Sequence, residues 1–322
     1  MSRLTVDVHL QPADLEEALR SDVRRGLTSS PKFLPPKWLY DDRGSKIFEQ
    51  ITRQPEYYPT EAERRLLEKV ADEIARSAHA DTLVELGSGT SDKTRTLLDS
   101  LTRDGGLKLF IPFDVSEATL RAAGESIGAE YPEVAVHAVV GDFDHHLGEI
   151  PSGGRRLVAF LGSTIGNLGP TDRRIFLKAL TAGFDADDRL LLGVDLVKDI
   201  ARLEAAYNDD AGVTESFTKN LLTLLNRELG ADFDPKAFDH QARWDADAEW
   251  IEIGLRSSCA QSVHIPAVGM TLDLQEGELI RTEVSSKFRR EGLEAELKSA
   301  GLTTTDWWTD GDVALLMASL AD

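Results

Sequence analysis

The sequence has a single cysteine, Cys259, which rules out an internal disulfide and fits a reducing compartment. Cys259 falls in a strand-like segment, where a small buried side chain is its simplest role. No apolar run approaches the roughly 18 residues that a membrane-spanning helix needs. The first thirty residues carry charges throughout, with no apolar stretch for a signal peptide. A cytoplasmic protein without a membrane partner is therefore expected. Basic residues are the other shortage: 36 Lys and Arg stand against 56 Asp and Glu, for a formal net charge of −20. No Lys/Arg run of useful length offsets it, so a polyanion such as nucleic acid would be repelled. Metal-ligand spacing is missing as well. His145 and His146 are adjacent and lack a companion at His-x3-His spacing, so no metal is expected and a solvated loop suits both.

What is present starts at Leu83-Val84-Glu85-Leu86-Gly87-Ser88-Gly89-Thr90-Ser91-Asp92-Lys93-Thr94-Arg95. An apolar run closes on a carboxylate, passes two glycines and opens into a polar segment whose Ser and Asp suit a helix start. The pattern predicts strand, tight turn and helix, with Gly87 and Gly89 letting a ligand approach the backbone. A dinucleotide fold wants a third glycine where Asp92 stands, which weighs against NAD. An acid such as Glu85 before Gly-x-Gly is instead what S-adenosylmethionine methyltransferases carry, since that cofactor brings an ammonium and a sulfonium. An ordinary strand-to-helix turn remains open at this point.

The next strands end in acids too. Lys108 to Asp114 reads as a strand, and Asp114 follows Gly89 by 25 residues, close to the spacing at which an acid takes a ribose hydroxyl pair. Val134 to Val140 leads into Gly141-Asp142-Phe143, where Asp142 could accept from an adenine amino group and Phe143 could pack on its ring, or the two could form a plain turn. Leu157 to Leu161 runs into Gly162-Ser163-Thr164-Ile165-Gly166-Asn167, whose Asn167 either donates to a substrate carboxylate or closes the turn. Helices over Thr60 to Ala78, Lys93 to Leu101, Ser116 to Ile127 and Asp172 to Gly183 alternate with these strands and with Arg189 to Leu196. About five such units predict a doubly wound parallel sheet, with ligands beyond the carboxyl ends of its strands.

The remainder breaks this rhythm. Pro12 to Leu27 has the spacing of an amphipathic helix. Ser29 to Tyr40 holds three prolines among large apolar residues and reads as a pinned loop, with Gln54-Pro55-Glu56-Tyr57-Tyr58-Pro59-Thr60 as its partner. Beyond Lys198, helices at Ile200 to Tyr207 and Val213 to Leu229 precede Trp250 to Ser257, Gln261 to Ile265, Met270 to Leu274 and Leu279 to Phe288, which read as a meander of strands. Arg289 to Gly301 returns to helix, and Thr303 to Trp308 with Val313 to Leu320 closes the parent sheet. Within Thr282-Glu283-Val284-Ser285, residues two apart on a strand face the same way, so Glu283 and Ser285 offer a carboxylate and a hydroxyl side by side. An exposed sheet face explains that pair equally, and core packing explains Tyr40, Tyr57 and Tyr58.

Taken together, Pro35-Pro36-Lys37-Trp38-Leu39-Tyr40-Asp41, Pro55-Glu56-Tyr57-Tyr58-Pro59-Thr60, Glu85-Leu86-Gly87-Ser88-Gly89, Phe160-Leu161-Gly162-Ser163-Thr164-Ile165-Gly166-Asn167 and Thr282-Glu283-Val284-Ser285-Ser286-Lys287-Phe288 resemble the histidine N-alpha-methyltransferase family of ergothioneine biosynthesis. The resemblance runs from the N-terminal helix to Asp306-Trp307-Trp308-Thr309-Asp310. It implies an α/β fold: a Rossmann-like class I methyltransferase sheet over 61–196 and 287–322, with an inserted α+β substrate-binding domain over 1–60 and 197–286. It also implies transfer of three methyl groups from S-adenosylmethionine to the alpha-amine of L-histidine. Glu85, Gly87, Lys93, Asp114, Asp142 and Phe143 would then hold the cofactor, and Asn167 and Tyr207 the substrate carboxylate. Tyr57, Glu283 and Ser285 would receive the imidazole, and Tyr40 would lie near the amine through water. The family places a methionine at the position of Ile253 beside the imidazole pocket, a swap of similar volume. A monomer is expected. A methyltransferase for another amino acid or amine, a non-catalytic S-adenosylmethionine-binding protein and, more remotely, an NAD-dependent oxidoreductase are the alternatives.

Overall fold

A computed structural model describes residues 4–91 and 93–321. Asp92, the residue that weighs against a dinucleotide loop, therefore lies outside the described residues. The chain divides into two compact units. The first comprises Met1–Gln11, Pro59–Val197 and Phe288–Asp322, and the second Pro12–Tyr58 and Lys198–Lys287.

The first unit is built on an eight-stranded sheet: β1 (Leu4–Val8), β2 (Thr82–Leu86), β3 (Leu109–Asp114), β4 (Ala135–Val140), β5 (Arg156–Phe160), β6 (Arg189–Asp195), β7 (Leu302–Thr309) and β8 (Val313–Leu320). Their order across the sheet is β1-β4-β3-β2-β5-β6-β8-β7. β1 to β6 pair in parallel, while β8 runs antiparallel to both β6 and β7. Every residue of β2 and β5 is buried, the mark of strands covered on both faces and of apolar runs without alternation. The order reverses between β2 and β5, so the chain leaves these neighbours in opposite directions and opens a crevice at their carboxyl ends. This is a Rossmann-like sheet. β1 differs from the expectation that placed residues 1–60 with the substrate-binding part: Leu4 to Val8 pair with Val136 to Val140 and extend the large sheet. A short alternating strand ahead of the first long helix carries too few apolar residues to announce its partner.

Helices start where the chain supplies capping chemistry. Ser116 caps Glu117–Glu130 by accepting from the Thr119 N–H, and Pro170 opens Pro170–Thr181 at a position that needs no N–H. Pro59–Ala78 buries Ala62, Leu66, Leu67, Val70 and Ile74 along one stripe.

The second unit packs the helices Pro12–Thr28, Asp42–Ile51, Ile200–Ala205 and Val213–Leu229 with a four-stranded sheet ordered Lys32–Phe33, Leu279–Ser286, Trp250–Ser257, Phe238–Asp245. Its core gathers Leu19, Val23, Leu34, Leu39, Phe217, Leu221, Leu225, Phe238, Leu255 and Ile280. The expected meander is corrected in two respects. Among the described residues Gln261–Ile265 and Met270–Leu274 pair only with each other, and Phe238–Asp245, too polar to be read as a strand, supplies the outer partner of Trp250–Ser257. The proline-rich segment also contributes a strand. Lys32 and Phe33 lie between Pro31 and Pro35, keep their N–H groups and pair with Ile280 and Arg281. Cys259 is exposed rather than buried, because it sits in the turn after Trp250–Ser257. Among the described residues no helix is long and apolar enough to cross a membrane.

Candidate active site

In the first unit the glycine loop leaves β2 with Gly87 at φ +67° and Gly89 at φ +49°, a region that side chains with a Cβ rarely adopt. The Phe113 carbonyl accepts from the N–H groups of both Gly87 and Ser88, at 2.8 and 3.2 Å. Asp114 fixes the far side of the turn: one carboxylate oxygen accepts from Gly89 N–H and the other from Ser116 N–H, each at 3.0 Å. Burial pushes its carboxyl up, opposed by these N–H groups. Each oxygen keeps further lone pairs for a ligand. Glu85 is buried at the end of β2 and accepts from the Thr94 hydroxyl through one oxygen. Its other oxygen and the Ser88 hydroxyl are buried without a hydrogen-bond partner among the described residues. Burial raises the Glu85 carboxyl to about 7, against the pull of the Thr94 hydroxyl, the nearby Ser91 hydroxyl, which does not meet hydrogen-bond geometry, and the Lys93 charge.

Lys93 is held beneath the loop after β5. Its ammonium pairs with one oxygen of Glu63, whose other oxygen accepts from Gly162 N–H at 2.7 Å. Sequence reasoning missed Glu63. Its signal is an acid on the buried stripe of an amphipathic helix, between Ala62 and Leu66. Past Gly162, the Ser163 hydroxyl accepts from Asp195 N–H at 3.0 Å, and the half-buried Asn167 side chain makes no hydrogen bond with a described residue.

After β4, Asp142 accepts from His145 N–H at 2.8 Å, and its carboxylate lies 3.0 Å from His145 Nδ1 and 3.2 Å from His146 Nδ1. Burial works to raise its carboxyl, but the His145 bonds and the two imidazoles win and lower it. The two histidines lie in a loop, as expected, with His145 exposed, and both stand beside Asp142. Phe143 lies 3.5 Å from where a Cβ on Gly87 would sit. It stacks on Phe113 at 5.7 Å and meets Phe160 edge-on at 5.3 Å. Among the described residues no group of three or more His, Cys, Asp or Glu could hold a metal ion.

In the second unit, one face of the four-stranded sheet carries the other expected residues. Glu283 is the register partner of the buried Ile253, and Ser285 that of Ile251. Against this face stand Leu203 and Tyr207, with Tyr57 and Tyr58 packed beside them. The Tyr57 and Tyr207 rings meet edge-on at 5.9 Å, and Tyr57 also meets Phe48 at 6.1 Å. Tyr40 packs on Phe48 and Phe217, each at 5.3 Å. Asp41 pins the segment behind it, accepting from Gly44 N–H and the Asn220 amide at 2.7 Å each. The Tyr40 hydroxyl makes no hydrogen bond with a described residue. Burial, then the Glu283 carboxylate, then Tyr57 and Tyr207 push its pKa well up, so all three act electrostatically on the Tyr40 hydroxyl. The Tyr207 and Ser285 hydroxyls lie 2.7 Å apart, and a buried lysine, Lys287, donates to both. Lys287 had no role in the sequence reading. Its signal is a lone charge closing an otherwise uncharged Val284-Ser285-Ser286 run. Aromatic rings, one carboxylate and a hydroxyl pair are groups that suit a flat ring carrying N–H groups.

A profile of the family described as histidine-specific methyltransferase, SAM-dependent, matches residues 19–320. A histidine N-alpha-methyltransferase from Mycolicibacterium smegmatis is 55% identical, covering 98% of this chain and 99% of its own length. One from Mycobacterium tuberculosis is 53% identical over 98% of this chain and 99% of its own. Ergothioneine biosynthesis protein 1 of Neurospora crassa is 31% identical over 88% of this chain and 32% of its own length. Among solved structures, an S-adenosylmethionine-dependent methyltransferase from Clostridium acetobutylicum gives a TM-score of 0.48 at 12% identity, covering 86% of this chain and 99% of that one. The glycine loop fits the family's cofactor. The Glu85 oxygen without a partner among the described residues suits a cation, the Ser88 hydroxyl a polar neighbour, and no described residue lies within 4 Å of where a Cβ on Gly89 would point. The chain belongs to the histidine-specific, S-adenosylmethionine-dependent methyltransferase family.

Proposed function

We propose that this enzyme transfers three methyl groups from S-adenosylmethionine to the alpha-amine of L-histidine, giving trimethylhistidine, also called hercynine, in ergothioneine biosynthesis. The observation that carries the reading is one face of the four-stranded sheet, where Glu283 and Ser285 lie beside Ile253 and Ile251, with Tyr207 and Tyr57 packed against it and the Glu283 charge felt at Tyr40. In this reading Glu283 accepts an imidazole N–H, Ser285 and Tyr57 complete the ring's seat, and Ile253 packs beside it. Tyr207 holds the substrate carboxylate by a hydrogen bond. Glu85, Gly87, Lys93, Asp114, Asp142 and Phe143 hold the cofactor. The names of the relatives support the substrate and the pathway.

S-adenosylmethionine, when bound, supplies a methyl carbon already activated by its sulfonium, so the protein's task is to present a neutral amine lone pair in line with it. Tyr40, its pKa pushed up by burial and by Glu283, stays protonated near neutral pH. It orients the amine through water as a neutral hydrogen-bond partner, and the amine proton leaves to solvent. Each methylated amine must lose a proton before the next attack. After the third methyl the nitrogen has no lone pair, and the sequence ends there. Glu283 supplies selectivity, because a substrate without an imidazole N–H would leave the carboxylate desolvated and underpaired. The reading places a monomer in the cytoplasm acting on a free amino acid, with neither nucleic acid nor membrane as partner. The net charge of −20 supports that choice.

Mass spectrometry of L-histidine incubated with the protein and S-adenosylmethionine, beside tryptophan and tyrosine, tests the reading. A product three methyl groups heavier from histidine alone is expected. A product that stops at one or two methyl groups, or methylation of another amino acid in place of histidine, would overturn it. No product from any amine would favour a binding protein.

A further inference from the structure

Tyr207 follows the short helix Ile200–Ala205, which lies on the sheet with Leu203, Ala206 and Tyr207 against Ala242, Ile251 and Ile253. Polar ties fasten this segment to the strand Phe238–Asp245. The Glu204 carboxylate accepts from Trp244 N–H at 2.9 Å, the Asn208 amide donates to the Ala242 carbonyl at 3.0 Å, and His240 Nε2 meets the Tyr207 carbonyl at 2.8 Å. A carbonyl can only accept, so Nε2 carries the proton and, in the neutral ring, Nδ1 is bare. Nδ1 is buried without a hydrogen-bond partner among the described residues. Of these ties, the one through His240 changes charge between about pH 5 and 8. A second proton would go to Nδ1, as a buried N–H on a charged ring. Burial pushes the His240 pKa down from its ordinary value, against the Tyr207 carbonyl and the charges of Glu215 and Asp209, while Lys219 adds to the fall. Lys219 pairs with Glu215 at 2.6 Å, and Asp209 accepts from the N–H groups of Val213 and Thr214 at 2.7 Å each. Neither acid accepts from Nδ1.

We propose that His240 is a positioning residue that holds Tyr207 in its substrate-binding place only while the ring is neutral, so that acid weakens L-histidine binding through the protein itself. The inference rests on the reading above, in which Tyr207 meets the substrate. When the segment lets go, His240 meets water and regains its ordinary affinity for a proton, so the held form binds fewer protons than the released one. The held form is therefore at full stability above about pH 6.5 and loses stability as pH falls below it. A released Tyr207 is missing from the site, and affinity falls with the fraction that is held.

Calorimetric affinities for L-histidine at about pH 8 and about pH 5.5, in the wild type, His240→Gln, His240→Leu and Asn208→Ala, test it. Glutamine offers an amide N–H in place of Nε2–H and cannot gain a proton. His240→Gln should match the wild type within about twofold at the higher pH and bind about threefold more tightly than it, or better, at the lower. His240→Leu has no donor and should bind about fivefold more weakly, or worse, at the higher pH. Asn208→Ala cuts a tie that does not titrate, so it should keep the wild-type pH trend whatever affinity it loses. The substrate's own protons titrate alike in every protein and cancel in these ratios. A ratio of His240→Gln to wild type that is the same at both pH values would overturn the proposal. So would undiminished affinity in His240→Leu, or a pH trend lost in Asn208→Ala. Should the His240 variants not fold, ring-nitrogen NMR of the labelled wild type decides: unlabelled L-histidine must move the His240 titration to lower pH, and an unmoved titration would overturn the proposal. Failure of the functional reading is read separately, as absence of methylated product from the wild type.

Discussion

Replacing Gly193 by alanine should destabilise the protein through a carboxylate on another element. Gly193 lies in β6 opposite Leu315, and a methyl added there would sit 2.0 Å from one oxygen of Glu63 and 3.4 Å from Leu161 Cα. The collision by itself is cheap, because the end of a glutamate can swing away. The expense lies in what Glu63 would leave behind. It is 3% exposed, accepts from Gly162 N–H at 2.7 Å and pairs with Lys93. Swinging out strands a backbone N–H and an ammonium, which costs about 2 to 4 kcal/mol. Thermal unfolding should then show a fall of roughly 5 to 15 °C for a unit of this size. A double-mutant cycle with Glu63→Ala isolates the cause. Once the carboxylate is gone, the alanine methyl enters vacated space, so Gly193→Ala should cost little and the coupling should reach about 2 kcal/mol. A cost below about 0.5 kcal/mol, or the same cost with and without Glu63, would refute the argument.

Burial holds the Glu85 carboxyl near 7 against a reference value of 4.5. In the ligand-free protein the associated stability is full below pH 4.5 and is lost as pH rises through about 7. Glu85→Gln should remove that slope, worth up to about 3 kcal/mol, in melting curves from pH 4.5 to 8, and a variant with the wild-type slope would place the titration elsewhere. Glu283→Ala should weaken histidine binding by about 1 to 3 kcal/mol, and unchanged affinity by calorimetry would take Glu283 out of the pocket. Tyr40→Phe should keep its unfolding free energy within about 0.5 kcal/mol of the wild type, since the hydroxyl has no described protein partner to lose, while turnover slows. Parallel pH–rate profiles for variant and wild type are expected, and a wild-type rise at high pH that the variant lacks would restore Tyr40 as a proton acceptor.

The parallel sheet was legible because its signals are local. Apolar runs, alternating only before Gly141 and each closed by an acid or a glycine, mark β2 to β5 directly, and helical spacing marks the segments between them. Phe238–Asp245 was not legible, because its alternation reads Phe-Asp-His-Gln-Ala-Arg-Trp-Asp, with only Phe238 and Ala242 fully buried. The helix Asp42–Ile51 depends on Asp41, whose carboxylate also accepts from Asn220 and Arg227 on a helix far along the chain. Lys32–Phe33 is a strand only because Ile280 and Arg281 offer it an edge.

The site divides along the same physical line. Residue types with an intrinsic chemistry at a fixed offset, such as Glu85 before Gly87 and Gly89, or Glu283 two before Ser285, stand out as candidates in the sequence, although a plain turn and an exposed sheet face also account for them. What sets their behaviour is a partner chosen by the fold, and that partner carries no local mark. Lys93 read as a cofactor contact, but its ammonium lies on Glu63, which also holds Gly162. A ligand at Lys93 must therefore compete with, or join, a buried carboxylate. Ser285 read as a hydroxyl beside Glu283, and it is also one corner of a triangle with Tyr207 and Lys287. Its hydrogen-bonding character belongs to the triangle, so exchanging Ser285 alone cannot report what Ser285 contributes. Double-mutant cycles across the Glu63–Lys93 pair and the Lys287 triangle are thus the measurements that separate a residue's chemistry from that of its neighbour.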